Sequence, residues 1–181
     1  MSVMKSIGIA AGAAALTAGL ILAQPAIGQD AASALRGHNT DAPVDVAADR
    51  IEVQDRADRA VFSGNVQVKQ GDLALNAARL TVAYSNAGGI QIERLDASGG
   101  VTVRSPSETA RGQYAIYDLN SRIITLIGGV TLTRGASNVN GGRLVIDLDS
   151  GRAVMDGGAP AGTSAQGGRV TGTFTVPQRG N

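Results

Sequence analysis

The sequence predicts an all-β fold in which eight long, bent strands form one antiparallel sheet that is open at both edges. Three observations predict this fold. Polar turn clusters recur between residues 44 and 158, apolar side chains alternate between the clusters, and most segments carry a glycine or another small residue near the middle. Because a bend divides each strand in two, the sheet amounts to about sixteen short strands in two layers that meet at an angle.

The pattern is clearest in residues 60–69, which read AVFSGNVQVK, and it recurs in altered form in residues 95–103 and 124–132. In each copy the apolar positions keep one parity through a central glycine. Side chains alternate faces along a strand, so positions of one parity share a face. The three sets are Phe62, Gly64, Val66 and Val68; Leu95, Ala97, Gly99, Val101 and Val103; and Ile124, Leu126, Gly128, Val130 and Leu132.

The Gly-Asn and Gly-Gly pairs in these copies allow two interpretations. As dipeptides they are typical of two-residue hairpin turns. A hairpin at residues 64–65, however, would set Ser63 opposite Val66 and leave Phe62 on the other face. One long strand that bends sharply at the glycine keeps the apolar face intact, as strands do at the corners of barrels and sandwiches. We therefore favour the bend.

The N-terminal residues have the features of a processed segment. Lys5 is followed by an uncharged run rich in Ala, Gly, Leu and Ile, and Ala26 and Gly28 are small residues at signal-peptidase positions. Residues 1–28 are therefore predicted to be a signal peptide cleaved after Gly28, which implies export. The alternative is an uncleaved anchor, because the run is near the shortest that spans a membrane. Residues 29–43 predict a flexible leader that contains His38, the single histidine.

Residues 44–158 form the predicted β-domain. Its strand segments cover about 46–54, 59–69, 72–84, 90–104, 109–117, 122–134, 137–148 and 152–157. Parity changes within two segments predict β-bulges near residues 76–79 and 141–143. Residues 159–181 predict a flexible tail, with one further short strand over residues 169–176.

Two turns fix the predicted register of the sheet. A turn at residues 70–71 would set Val68 opposite Leu73. A turn over residues 118–122 would set Ile116 opposite Ile124 and Tyr114 opposite Leu126. Apolar side chains would then meet across neighbouring strands, which favours both registers.

Composition excludes several classes of function. The chain has no cysteine, and its one histidine lies in the leader, so neither a catalytic triad nor a thiolate or zinc site is predicted. The charges are nearly balanced and aromatic residues make up 3%, which argues against nucleic-acid binding. The Asp147-Leu-Asp149-Ser-Gly151 stretch is interpreted as a hairpin turn rather than a calcium loop. We therefore expect no enzyme activity, no metal and no cofactor.

The inner face of the bent sheet is the main functional candidate. It would be either the ordinary closed core of a sandwich or, if the two layers splay, an apolar groove suited to alkyl chains. The predicted lining residues are Phe62, Val66, Val68, Leu73, Leu75, Leu80, Val82, Ile92, Val101, Val103, Tyr114, Ile116, Ile124, Leu126, Val130, Leu132, Leu144 and Ile146.

The two free edges of the sheet are the second candidate. An exposed edge strand presents unpaired backbone groups that another strand can join. We expect such end-to-end strand addition, or self-association, at residues Val46, Ile51, Val53, Ala153, Val154 and Met155.

Residues 48–53 (ADRIEV), 60–71 (AVFSGNVQVKQG) and 75–80 (LNAARL) resemble the OstA-like domain of the LptA family of periplasmic lipopolysaccharide-transport proteins. The resemblance covers about residues 43–157. It implies a slightly twisted antiparallel β-jellyroll of sixteen short strands that is not an enzyme. Its apolar interior would hold the acyl chains of lipid A, and its edges would join protomers or partners into a bridge between membranes.

The implied partners are lipopolysaccharide, an LptC-like inner-membrane anchor protein and an LptD-like outer-membrane translocon. The implied location is the periplasm. Two alternatives remain open from the sequence. One is an LptC-like relative that keeps residues 1–28 as its anchor, and the other is a structural β-solenoid or filament protein without a lipid ligand.

Overall fold

The computed structural model describes residues 38–86, 88–158 and 168–176. These residues form ten β-strands and one short 3₁₀ turn, Asp55–Ala57. The strands are β1 (Val44–Ala47), β2 (Arg50–Gln54), β3 (Arg59–Gln70), β4 (Leu73–Ser85), β5 (Gln91–Arg104), β6 (Glu108–Asp118), β7 (Ile123–Arg134), β8 (Ser137–Asp147), β9 (Arg152–Asp156) and β10 (Thr171–Thr173). The all-β prediction is confirmed, and the strand limits agree with the predicted segments to within a few residues.

All ten strands belong to one antiparallel sheet in which β3 to β8 follow each other as a meander. At one edge β1 pairs with residues 67–70 of β3, and β2 pairs with residues 59–63 of the same strand. At the other edge β9 pairs with residues 143–147 of β8, and β10 with residues 138–140. Among the described residues the two edges do not pair with each other, so the predicted open sheet is confirmed.

A line of register shifts crosses β3 to β8 and forms the crease of the sheet. The shifts follow Ser63, Asn76, Ser98, Arg111 and Ile127 in successive strand pairs. Gly64, Gly99 and Gly128 lie inside long strands and not in hairpin turns. The preference for a bend over a hairpin is therefore confirmed.

The predicted bulges lie at the crease, but the extra residue belongs to the neighbouring strands. On β3, two residues separate Ser63 from Val66, whereas on β4 only one residue separates their partners Arg79 and Ala77. The same excess occurs on β5 and β7, at the 99–100 and 128–129 glycine pairs. Both glycines of each pair have a positive φ, which glycine adopts without the steric cost that β-carbons cause. The assignment of the extra residue to residues 76–79 and 141–143 was thus wrong.

The crease divides the sheet into two layers that pack on each other. Half-sheet A contains β1, β10 and the parts of β3 to β8 that adjoin the turns at residues 71–72, 105–107 and 135–136. Half-sheet B contains β2, β9 and the parts that adjoin the connection from β4 to β5 and the turns at residues 119–122 and 148–151. Side chains from both layers form one apolar core.

Two predicted turns differ in detail. Val68 pairs with Leu75 instead of Leu73, because the first turn consists of Gly71 and Asp72; this two-residue slip keeps every side chain on its predicted face. In the second hairpin Tyr117 pairs with Ile124, and Ala115 pairs with Leu126. This slip is one residue, so it reverses the faces of β6 beyond the crease.

The segments that flank the sheet were only partly predicted. Residues 38–42 are placed against the sheet and His38 is 8% exposed, so the expected flexible leader does not extend through them. β10 lies within the predicted strand at residues 169–176. The predicted signal peptide lies outside the described residues. In the part of the chain that is described, no helix has the length and apolar character that crossing a membrane requires.

Candidate functional site

The interior between the half-sheets contains nearly all of the predicted lining residues. Phe62, Ile92 and Leu132 are half-buried and pack against the core. The buried members are Val66, Val68, Leu73, Leu75, Leu80, Val82, Val101, Val103, Ile124, Leu126, Val130, Leu144 and Ile146. Further buried residues that the predicted set lacks are Ala77, Leu95, Ala97, Ala110, Ala115, Tyr117 and Leu148.

Tyr114 and Ile116 were assigned to the interior wrongly. Tyr114 is 57% exposed, and Ile116 is half-buried on the outer face, where both line a shallow concavity together with Ile127. Ala115 and Tyr117 take the inner positions because the register of β6 is one residue away from the predicted one. The stretch from Tyr114 to Tyr117 is apolar or small at every position, so its alternation does not choose a face.

The interior is closed in this structure. A cavity of about 10 Å³ lies between the layers near Val68, Leu95 and Ile124, and another of about 10 Å³ lies near Leu132 and Ile146. Cavities of this size accommodate about one water molecule. An acyl chain would therefore enter only if the half-sheets separate.

A buried polar cluster joins the two layers on the side opposite the crease, which we call the mouth. The Tyr117 hydroxyl, from half-sheet B, donates to Oε1 of Gln70, from half-sheet A, at 2.9 Å. Nε2 of His38 lies 3.2 Å from the same oxygen, and its Nδ1 lies 2.9 Å from Oδ1 of Asp72. Both ring nitrogens thus face oxygen atoms, and both donate only when each carries a hydrogen. Tyr117, Gln70 and His38 are all buried.

Residues 38–42 cross the mouth above this cluster, and we call them the strap. Nε2 of Gln70 donates to the backbone oxygens of Thr40 at 2.8 Å and Ala42 at 3.1 Å, which joins the strap to half-sheet A. Asp41 accepts from Arg122 at 3.2 Å, and Arg122 also pairs with Asp149 at 3.1 Å. Since Arg122 and Asp149 belong to turns of half-sheet B, the strap contacts both layers.

The environment of the cluster shifts two pKa values. Burial raises the pKa of the Tyr117 hydroxyl above its usual range, and the hydrogen bond to Gln70 offsets part of that shift. The hydrogen bond from His38 lowers the pKa of the Asp72 carboxyl below its ordinary value. Both shifts favour the charge states that the observed hydrogen bonds require.

A second polar pair lies further along the mouth. Oε1 of Glu108, a buried carboxylate at the start of β6, lies 3.7 Å from Nε of Arg134, its partner in the sheet register. Sequence reasoning placed Glu108 in a polar turn and did not identify it. A correct register would have placed Glu108 opposite Arg134, and this cross-strand pair of opposite charges would have indicated the contact.

The apolar interior reaches both edges of the sheet. Ile51 and Val53 pair with Phe62 and Ala60, and so lie on the inner side of the edge, yet they are 55% and 60% exposed. At the other edge Ala153 and Met155 pair with the buried Ile146 and Leu144. Ala153 is exposed and Met155 half-buried.

The other two predicted edge residues differ in position. Val46 is half-buried beside Val68 on the inner side. Val154 lies on the outer side and is 37% exposed. All six predicted edge residues thus lie in β1, β2 or β9, the strands at the sheet edges.

Asp147 stabilises the turn between β8 and β9, outside the mouth. Oδ1 of Asp147 accepts from the backbone nitrogens of Asp149 and Ser150 at 3.0 Å each, which confirms the predicted hairpin turn. Across residues 38–86, 88–158 and 168–176, no three His, Asp or Glu side chains gather as a metal site would require.

Comparison with known proteins adds three findings. Residues 45–152 match the family described as LptA/(LptD N-terminal domain) LPS transport protein. An uncharacterized protein of Rhizobium meliloti (strain 1021) is 33% identical over 170 residues, which cover 87% of this chain and 87% of that protein. LptH of Pseudomonas aeruginosa, the LptA homologous periplasmic component of the conserved lipopolysaccharide transport device, matches with a TM-score of 0.67 at 18% identity. The match covers 77% of this chain and 99% of LptH, and it shows the same fold.

Proposed function

Because the chain belongs to the LptA/LptD N-terminal domain family of lipopolysaccharide transport proteins, we propose that it is a periplasmic carrier that passes lipopolysaccharide from the inner to the outer membrane. The acyl chains of lipid A would lie between half-sheets A and B. The polar part of lipopolysaccharide would stay in water outside the mouth.

The observation that carries this proposal is an apolar interior that continues from one sheet edge to the other. Both layers contribute aliphatic side chains along its whole length, and Ile51 and Val53 extend it, exposed, to the β2 edge. In a closed globular core, inward-facing apolar side chains that are exposed to solvent at the ends have no structural purpose. A conduit made of several such domains does need them, because its interior must continue into the next domain.

Binding would exchange one apolar contact for another. Separating the half-sheets removes the contact between their walls, at a cost of ~25 cal/mol for each Å² of apolar surface exposed to water. An acyl chain placed between the walls covers that surface again and removes its own methylenes from water, worth about 0.8 kcal/mol each. A long saturated chain therefore suits the interior, whereas a short or polar ligand does not.

The edges support the bridging part of the proposal. β1 and β2 at one edge, and β9 and β10 at the other, have no further strand beside them within the described residues. Addition of a partner strand would satisfy their free backbone groups. The proposed partners are a second copy of this chain, an LptC-like inner-membrane anchor protein and an LptD-like outer-membrane translocon.

Photocrosslinking with a matched pair of aromatic positions tests the proposal. Benzoylphenylalanine replaces Phe62, which packs against the interior, or Tyr114, which is exposed on the outer face. We expect ultraviolet light in living cells to attach lipopolysaccharide to the Phe62 variant and not to the Tyr114 variant. If both positions capture lipopolysaccharide equally, or if Phe62 crosslinks only to other protein side chains, the interior is not the binding site.

The closed interior favours one second candidate, a structural filament protein whose edges join but whose core never opens. Cavities of about 10 Å³ are typical of an ordinary packed core. This candidate predicts concentration-dependent growth without any lipid crosslink from Phe62. The same photocrosslinking experiment therefore separates the two functions.

A further inference from the structure

The mouth of the interior is closed by polar contacts, although the rest of the contact between the layers is apolar. Gln70 and Tyr117 line the same cavity as Val68, Leu73 and Ile124, and the strap contacts Gln70. For the layers to part at the mouth, polar contacts must therefore break as well as apolar ones.

The contacts at the mouth hold the layers together in two ways. The Tyr117–Gln70 hydrogen bond connects half-sheet B directly to half-sheet A. The strap connects them indirectly, through Gln70 on one side and the Asp41–Arg122 ion pair on the other. Both connections must break before the half-sheets separate at this end.

Polar contacts are suited to a closure that opens repeatedly. A hydrogen bond that breaks at the mouth is replaced by hydrogen bonds to water, so its net contribution to closure is modest. The exposed Asp41–Arg122 pair contributes still less, because solvent screens it. An apolar seal of the same area would have no such replacement and would hold the layers together more firmly.

We propose that the strap and the Tyr117–Gln70 hydrogen bond form a latch that controls the rate at which the interior admits an acyl chain. This inference rests on the proposed lipid-carrying function. The closed state cannot bind a chain, so the observed association rate is the rate of binding to the open state multiplied by the fraction of molecules that are open. Each latch contact that is removed raises that fraction.

Tyr117→Phe tests the latch with the smallest change. The variant loses only the hydroxyl that donates to Gln70 and keeps the ring that lines the cavity. We expect its association rate with fluorescent lipid A to rise about 2- to 10-fold, the factor that corresponds to the loss of one net hydrogen bond. Asp41→Asn should raise the rate less, because its ion pair is exposed. Tyr114→Phe is the matched control, since it removes a hydroxyl from the outer face and should leave the rate unchanged.

Stopped-flow binding of fluorescent lipid A by the purified full chain measures these rates, and urea unfolding of the same samples verifies that each variant is folded. A faster Tyr117→Phe beside an unchanged Tyr114→Phe supports the latch. Equal rates for Tyr117→Phe and the parent, or an equal rise in Tyr114→Phe, overturn the latch while leaving the carrier function in place. If neither the parent nor any variant binds lipid A, the proposed function itself fails, and the latch with it.

Discussion

The crease makes a sharp prediction at two adjacent glycines, Gly99 and Gly100, in the middle of β5. Both have a positive φ, +84° and +81°, so a side chain strains the backbone about equally at either position. Their surroundings differ. A β-carbon at Gly99 would lie 2.7 Å from the β-carbon of Ala78 on β4, whereas a β-carbon at Gly100 would meet no atom within 4 Å. Alanine at Gly99 should therefore destabilise the fold more than alanine at Gly100.

The two contributions give rough magnitudes. Placing an alanine in the left-handed region costs about 1–2 kcal/mol, which is the whole expected loss for Gly100→Ala. The contact with Ala78 adds about 1–3 kcal/mol at Gly99, because a β-carbon has no flexible end and the strands themselves must shift. We therefore expect Gly99→Ala to lower the free energy of unfolding by roughly 2–5 kcal/mol.

Urea unfolding followed by far-ultraviolet circular dichroism measures both losses. A double-mutant cycle adds a specific check, since Ala78→Gly should recover most of the steric part in the Gly99→Ala background and none in the Gly100→Ala background. Equal losses for Gly99→Ala and Gly100→Ala would refute the close approach of β4 and β5 at the crease. So would the absence of rescue by Ala78→Gly.

Three further predictions concern the core, the edge and the mouth. Leu126→Ala, at a side chain with no exposed surface, should lower the free energy of unfolding by about 2–5 kcal/mol, whereas Ile127→Ala on the outer face should cost about 1 kcal/mol or less by the same urea assay. Ile51→Lys should reduce concentration-dependent growth in light scattering, because a charge at the open β2 edge opposes strand addition; undiminished growth would place self-association elsewhere. Burial raises the pKa of Tyr117, so its contribution to stability is complete below the unfolded pKa of about 10 and is lost as pH rises through the folded pKa. Tyr117→Phe should therefore lose less stability than the parent between pH 9 and pH 11, about a unit on either side of the unfolded pKa.

Much of the fold follows from local sequence patterns. The alternation of apolar side chains and the turn residues between them predict eight strand segments, and the structure contains strands at all eight. The bends follow from parity through Gly64, Gly99 and Gly128, because only a continuous strand keeps the apolar side chains of those copies on one face. These features depend on residues that are close in sequence.

The errors arise where the pattern is ambiguous or the partners are distant. From Tyr114 to Tyr117, β6 is apolar or small on both faces, so only the register with Ile124 and Leu126 decides which side chains point inward. That register depends on the length of the turn after Asp118, which the polar cluster at residues 118–122 leaves open. Because the observed register differs from the predicted one by one residue, Tyr114 is exposed and Tyr117 is buried.

His38 was missed for a different reason. Its neighbours in sequence are small and polar, which predicts a flexible leader. Its partners, Gln70 and Asp72, are more than thirty residues away and become neighbours only when the sheet has folded. The latch therefore depends on the tertiary structure, and no local sequence pattern indicates it.

The central claim is that half-sheets A and B separate to hold acyl chains. Because the chain has no cysteine, two introduced cysteines can carry a pair of spin labels at chosen sites. Gln67→Cys and Glu93→Cys label exposed positions on half-sheets A and B, while Gln67→Cys and Arg111→Cys label two exposed positions on half-sheet A alone. Pulsed electron paramagnetic resonance should show the first distance widening when lipopolysaccharide is added, and the second unchanged. A first distance that stays constant while lipopolysaccharide is bound would contradict the account.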